Sequence, residues 1–230
     1  MGFLINPYRY AEPSFDPLSI AGCKVWLDAA DVATITKDGS NFVSQWNDKS
    51  GEANHVAQGT GAYQPLYVSA TNSIDFDGTD DDLYRATYVN GALSQPNTIF
   101  YVGTIPTANS VVVYDGGTNT TRHLFYSSGG SKYTIYAGAN VGTVAVNGAK
   151  AQFTCHFNTS SSSIRRNKSS VESSLNPSTQ TMNGIELGGF SGNHTGISDT
   201  HINEILVYDG TLASGDRDDI EDYLATKWGL

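Results

Sequence analysis

The residues of this chain best equipped for chemistry are carboxylates, histidines and aromatics, and their spacing offers little to catalysis. Hydrolysing a glycosidic bond takes two carboxylates facing each other across the substrate, roughly 5–5.5 Å apart for retention or 6.5–9.5 Å for inversion. On a strand that means acids at alternate positions. Asp75 and Asp77 satisfy this, but they flank the apolar Ile74 and Phe76 and run into a turn at Gly78, while Glu186 and Glu204 stand isolated. The five histidines, His55, His123, His156, His194 and His201, show no metal-ligand spacing and no partnered nucleophile. No enzyme is expected on these grounds.

Three stretches invite binding instead. Asp77-Gly78-Thr79-Asp80-Asp81-Asp82 packs four carboxylates into six positions, a density that suits Ca²⁺, which takes six to eight oxygen ligands. The spacing is not that of an EF-hand, and the same residues also make an ordinary acidic turn. Were a cation held, Asp77, Asp80 and Asp82 are the candidate ligands; no other cofactor is expected. Arg122-His123-Leu124-Phe125-Tyr126 with Tyr133 and Tyr136 forms the richest aromatic and polar surface candidate. Tyrosine offers a flat apolar face and a hydroxyl at low entropic cost, so Arg122, His123, Tyr126, Tyr133 and Tyr136 are the candidate contacts to a glycan or partner. Ordinary cross-strand pairing, with half of the rings in the core, is the competing reading. Trp46-Asn47-Asp48-Lys49-Ser50-Gly51 reads either as a sugar platform or, preferred here, as a strand ending in a turn whose Asp48 and Ser50 bond loop amides.

The elements that must position these residues are strands. Cys23, Val25 and Leu27 alternate with Lys24, Trp26 and Asp28; Phe153, Cys155 and Phe157 alternate again; Thr98–Ile105 is continuously apolar. Residues 122–137 predict a hairpin turning at Ser127–Ser131, and Asn167-Lys168 a tight turn. Only Ser214–Leu230 reads as a helix, with Ser214 as N-cap and Ile220, Tyr223, Leu224 and Trp228 on one face. The pattern predicts an all-β body with one C-terminal helix.

Composition sets outer bounds. The chain has 230 residues, 16% of them charged, with a formal net charge of -10. Nucleic acid is an unsuitable partner, because phosphate binding needs clustered Lys and Arg. No apolar run approaches the ~18 residues that span a membrane, and no basic segment followed by an apolar one opens the chain. Cys23 and Cys155 sit in strand-like contexts and are expected as buried free thiols. Residues 1–21 differ from the rest: Pro7, Pro13 and Pro17 interrupt a leader carrying Phe3, Ile5, Tyr8, Arg9, Tyr10 and Phe15. This extended arm either lies across its own domain, residues 22–230, or docks on a partner.

Several motifs carry a family resemblance. They are Val25-Trp26-Leu27-Asp28-Ala29; Val43 to Gly51 with Asn54-His55; Ile74-Asp75-Phe76-Asp77-Gly78 with Asp81 and Leu83; and Glu204 to Asp209 with Ile220, Glu221, Tyr223, Leu224, Lys227, Trp228, Gly229 and Leu230. In this order they resemble the laminin-G-like branch of the concanavalin A-like lectin/glucanase superfamily, in the form found in bacteriophage structural and bacterial surface proteins. The resemblance implies an all-β, antiparallel jelly-roll β-sandwich of two stacked sheets with the first and last strands adjacent, and a free sheet face and rim loops where relatives hold sugars or calcium. The Glu-x-Asp-x-x-Glu triplet of the superfamily's glucanases is missing, and Asn167-Lys168 stands where many relatives carry Asn-Gly. The leader, Ile5-Asn6-Pro7-Tyr8-Arg9-Tyr10, also resembles openings of phage virion proteins. The expected function is therefore a non-enzymatic, multi-copy virion surface or tail-associated protein, made in the host cytoplasm. It would be held to capsid or tail proteins by its arm and would adhere to glycans. The alternative is a carbohydrate-binding lectin module on a bacterial cell surface; a polysaccharide hydrolase or lyase is more distant.

Overall fold

A computed structural model describes residues 15–107, 110–118, 120–129, 131–190 and 198–230. The strands are β1 (Cys23–Asp28), β2 (Ile35–Lys37), β3 (Val43–Trp46), β4 (Val56–Ala57), β5 (Leu66–Val68), β6 (Ser73–Asp77), β7 (Leu83–Arg85), β8 (Asn97–Thr104) and β9 (Val111–Asp115). They continue with β10 (Leu124–Ser128), β11 (Lys132–Tyr136), β12 (Asn140–Val141), β13 (Ala151–Phe157), β14 (Ser162–Arg166), β15 (Ser169–Leu175), β16 (Ile185–Leu187) and β17 (Asp199–Asp209). Helix α1 (Ser214–Trp228) follows.

These strands form two antiparallel sheets, as the resemblance implies. Sheet A runs β15-β14-β13-β8-β17-β6-β5, with β1 also paired to β17; sheet B runs β12-β11-β10-β9-β16-β7-β4-β3-β2. The first and last strands are thus neighbours, Val25 facing Val207 and Leu27 facing Ile205. The core lies between the sheets, where Val25, Leu27, Trp46, Phe76, Tyr101, Phe125, Phe153 and Val207 are all buried.

Strand β8 is apolar from Ile99 to Gly103 because both its faces are covered. Ile99 and Tyr101 enter the inter-sheet core, whereas Phe100 and Val102 join Trp26, Leu206 and Tyr208 beneath α1, against Ile220 and Leu224. A register shift in β17 between Ile202 and Glu204 lets Ile202 and Ile205 share the inner face despite their odd spacing. The two cysteines are free and buried on opposite sides of sheet A, and desolvation pushes both thiols up to about 12.

One detail of the helix differs from expectation. Its N-cap is Ala213, which supplies no side-chain hydrogen bond, and Ser214 is already helical. Gly229, at φ 68°, closes the other end in the left-handed conformation that glycine adopts freely. The Asn167-Lys168 turn keeps its tight geometry without the glycine, with φ of 45° and 67°. Before β1, Phe15 packs on Tyr223 at 5.8 Å and the Tyr208 hydroxyl donates to the Pro17 carbonyl at 2.9 Å, so residues 15–20 lie against the sandwich. Phe3, Ile5, Tyr8, Arg9 and Tyr10 lie outside the described residues.

Candidate functional site

The helix covers sheet A, so the surface available for a flat ligand is the outer face of sheet B. Directly opposed residues across five strands build a row there: Gln45 on β3, Ala57 on β4 and Tyr84 on β7 are half-buried, while Glu186 on β16 and Asp115 on β9 continue the row as fully buried residues. Successive strands are about 4.8 Å apart, so the row extends roughly 19 Å. Beside it a cavity of about 310 Å³ is lined by Gln45, His55, Tyr84 and Arg85. The His55 Nδ1 accepts from the Asp48 amide at 3.0 Å, which fixes the ring.

Arg122 sits at the other end of the row. Its Nε donates to Asp115 Oδ1 at 3.0 Å and its Nη2 lies 2.8 Å from Oδ2, a two-point pairing in which both residues are buried. The guanidinium also stacks over Phe190 at 4.3 Å and Tyr136 at 5.2 Å. Gly188 and Gly189 turn the chain back onto this face. A Cβ on Gly189 would lie 2.1 Å from Glu186 Oε1, and one on Gly188, at φ 72°, 2.1 Å from the Phe76 ring.

Of the five residues proposed on the hairpin, three share this face and two do not. Tyr126 pairs with Thr134 and Tyr136 with Leu124, placing both tyrosines outward and half-buried, beside Arg122. Tyr133 pairs with Ser127 on the opposite side of the pleat and packs into the core, 4.6 Å from Phe153. His123 is likewise interior: it stacks on Phe157 at 4.5 Å, donates through Nε2 to the Gln180 carbonyl and accepts from Asn97 through Nδ1. Desolvation lowers its pKa to about 4, so it is a neutral core histidine. Period-2 alternation decides between the neighbours, and sequence alone left its phase open.

The acidic turn is also rearranged. Asp77, Asp80 and Asp81 bring carboxylate oxygens within 4.8 Å of one another; the third member is Asp81, where Asp82 was expected. Asp82 is fully buried and accepts from the Gln58 amide. Desolvation, reinforced by the charges of Asp77, Asp80 and Asp82, raises Asp81 to about 6. No Lys or Arg among the described residues forms an ion pair with these three, whose hard oxygens match a calcium-type donor set.

The motifs behind the family resemblance converge on a structural clamp. Asp48 accepts from the amides of Trp26, Ser50 and Asn54 at 2.8–2.9 Å, and Trp46 is fully buried. Glu204 accepts from both indoles, Trp26 Nε1 at 2.8 Å and Trp228 Nε1 at 2.6 Å, from the Tyr223 hydroxyl at 2.9 Å and from Lys227 at 2.8 Å. Burial pushes the Glu204 carboxyl up, opposed by Lys227. Asp28 resists the same desolvation, and its bonds to Lys227 and Lys49 hold it low. These residues lock β1, β17 and α1 together.

Two acids and a histidine read as isolated in sequence acquire partners through the sheets. Glu186 stands opposite Asp115, and Glu204 opposite Asp28. His201 Nδ1 meets Asp75 Oδ2 at 2.7 Å, and Asp75 Oδ1 accepts from the Ser73 hydroxyl at 2.5 Å. In that chain the acid lies between serine and imidazole. An activated serine needs the imidazole in the middle, so this arrangement orients groups without generating a nucleophile.

Fold and surface together define an antiparallel two-sheet β-sandwich closed by a helix, with one sheet face open. No protein-family model and no curated protein sequence matches the chain. Solved structures do. Trypanosoma rangeli sialidase in complex with sialic acid aligns at 12% identity and TM-score 0.59, covering 90% of this chain and 33% of that one. A GH54 α-L-arabinofuranosidase mutant soaked with 4-nitrophenyl α-L-arabinofuranoside aligns at 11% identity and TM-score 0.62, covering 80% and 50%. The ligand-binding domain of botulinum neurotoxin serotype D in complex with N-acetylneuraminic acid aligns at 12% and 0.61, covering 90% and 52%. The chain thus spans about a third of the sialidase and about half of the other two. At these identities the likeness is one of fold. It nevertheless corrects the expectation that the chain is no enzyme: glycoside hydrolases contain this architecture, so a missing carboxylate triplet is no ground for excluding catalysis.

Proposed function

We propose that this chain is a carbohydrate-binding β-sandwich of the concanavalin A-like, laminin-G-like type, holding glycans on the outer face of sheet B. The observation that carries the reading is the row of half-buried tyrosines, Tyr84, Tyr126 and Tyr136, on the sheet that the helix leaves uncovered. Tyrosine rings stack on the apolar face of a pyranose, while the half-buried Gln45 and His55 can bond its hydroxyls; apolar platforms with a few fixed polar groups are how such sites select ligands. Support comes from neighbours of the same fold whose structures hold sialic acid, N-acetylneuraminic acid or an arabinofuranoside. The acidic turn of Asp77, Asp80 and Asp81 offers a calcium-dependent variant.

The test is a glycan array followed by calorimetry, with and without chelator. Replacing Tyr84 or Tyr126 by Ala should weaken binding of any array hit by about tenfold or more, a loss of about 1.4 kcal/mol or more, with the melting temperature little changed. Absence of glycan binding under both conditions would refute the reading. Tolerance of both substitutions would remove the site from this face.

A further inference from the structure

Sheet A carries a second candidate site, beyond the C-terminal end of α1. A cleft of about 470 Å³ opens there between β6, β17 and the start of β13, lined by Thr71, Ser73, Thr104, Lys150, His201 and Asn203. The chain carries a net charge of -10, yet among the described residues no carboxylate lies within ion-pair distance of Lys150. The ammonium instead contacts the Trp228 carbonyl at 3.4 Å and lies 4.8 Å from that residue's ring. Burial lowers its pKa, with no anion to offset the cost.

A histidine paired with carboxylates faces the same space. Asp75 holds His201 at 2.7 Å and raises its pKa, and Asp199, 4.0 Å from Nε2, adds to this. A line of hydroxyls forms the wall: Thr71 Oγ1 meets Ser73 Oγ at 2.8 Å, and Ser73 donates to Asp75. Asn203 fixes the rim by donating to the Thr71 and Asn72 carbonyls at 2.9 Å. Volume decides the size of the occupant. Pockets for small organic ligands run from about 300 to 1,000 Å³, so a bare inorganic ion would leave most of this cleft to water.

We propose that the cleft binds an acidic monosaccharide, its carboxylate at Lys150 and His201 and its hydroxyls along Thr71, Ser73 and Thr104. The charged groups around His201 are Asp75, Asp199 and, across the cleft, Lys150; of the acids, Asp75 is engaged by Ser73 and His201, and Asp199 is exposed. Binding therefore weakens as pH rises and His201 loses its proton. This site lies on the sheet opposite the tyrosine row, so the two readings stand or fall separately.

The test is amide chemical-shift mapping of the full chain with glucuronate, sulfate and glucose as separate ligands. Glucuronate should shift Ser73, Lys150 and His201, more strongly at about pH 6 than at about pH 8, and glucose should not. Lys150→Gln should weaken glucuronate binding by about tenfold or more. Because Lys150 also contacts the helix end, Thr104→Val provides a second variant, expected to weaken it by about threefold. Equal response to glucose, response to sulfate without glucuronate, no response at all, or unchanged affinity in both variants would overturn the proposal.

Discussion

At the scale of single residues, the most consequential side chain is Glu204. It is fully buried and gathers two indoles, a phenol and an ammonium from two elements, β1 and α1. Replacing it with Ala leaves two indoles and a phenol without their acceptor while Lys227 keeps Asp28 at 2.7 Å, and stranding buried donors in this way costs about 1–3 kcal/mol. Urea denaturation should show that loss; a cost below about 1 kcal/mol would mean the clamp is dispensable. His123 sets a pH dependence of definite sign. Its folded pKa, about 4, lies below the ordinary histidine value of 6.5, so the unfolded chain binds the proton more readily. Its contribution is intact above about pH 6.5 and falls by up to about 1.4 kcal/mol per pH unit as pH drops toward 4. His201 acts oppositely: its raised pKa gives stability present at low pH and lost as pH rises through the folded value. His123→Gln should flatten the acid-side slope measured by denaturation at several pH values.

At the scale of elements, two turns show how the backbone constrains sequence. Gly188 ends β16 at a positive φ with its missing Cβ pressed on Phe76. Gly188→Ala adds both left-handed strain and overlap with a core ring, and should cost at least about 2 kcal/mol in thermal or chemical unfolding. The β14–β15 turn is the reverse case. Lys168 holds φ 67° with a side chain, and its ion pair with Asp222 is largely exposed. Lys168→Gly should therefore raise stability by about 0.5–1 kcal/mol, since a surface pair contributes little and the strain is relieved. Unchanged or lowered stability would assign more to the pair. The hairpins themselves were legible: alternation and turn residues placed β10, β11, β13 and the terminal helix within a residue or two. The helix cap was not, because Ala213 carries no capping signal and Ser214 carries a misleading one.

At the scale of the whole molecule, the two sheets have different tasks. Sheet A is closed over by α1 and the segment from Phe15 to Ile20, while sheet B presents its tyrosines. Deleting residues 1–14 keeps Phe15 to Ile20 on that apolar patch, and should leave the melting temperature within about 2 °C. If the leader docks on a particle, the same deletion abolishes incorporation; full incorporation of the truncated chain would end that reading.

Pattern and composition by themselves determined the all-β class and the closing helix, because local spacing encodes both through the two-residue period of a strand and the 3.6-residue period of a helix. The adjacency of the first and last strands was legible only through the family resemblance. Only the tertiary structure decided which side chains of a strand face outward. Tyr126 and Tyr133 are equivalent in type, but a one-residue difference in phase puts one on the surface and the other in the core. Only the structure brought Glu186 to Asp115, His201 to Asp75 and Glu204 to Trp228, because register between strands distant in sequence is set by packing across the whole core. Site chemistry lives in those pairings, which is why the fold was readable before the site.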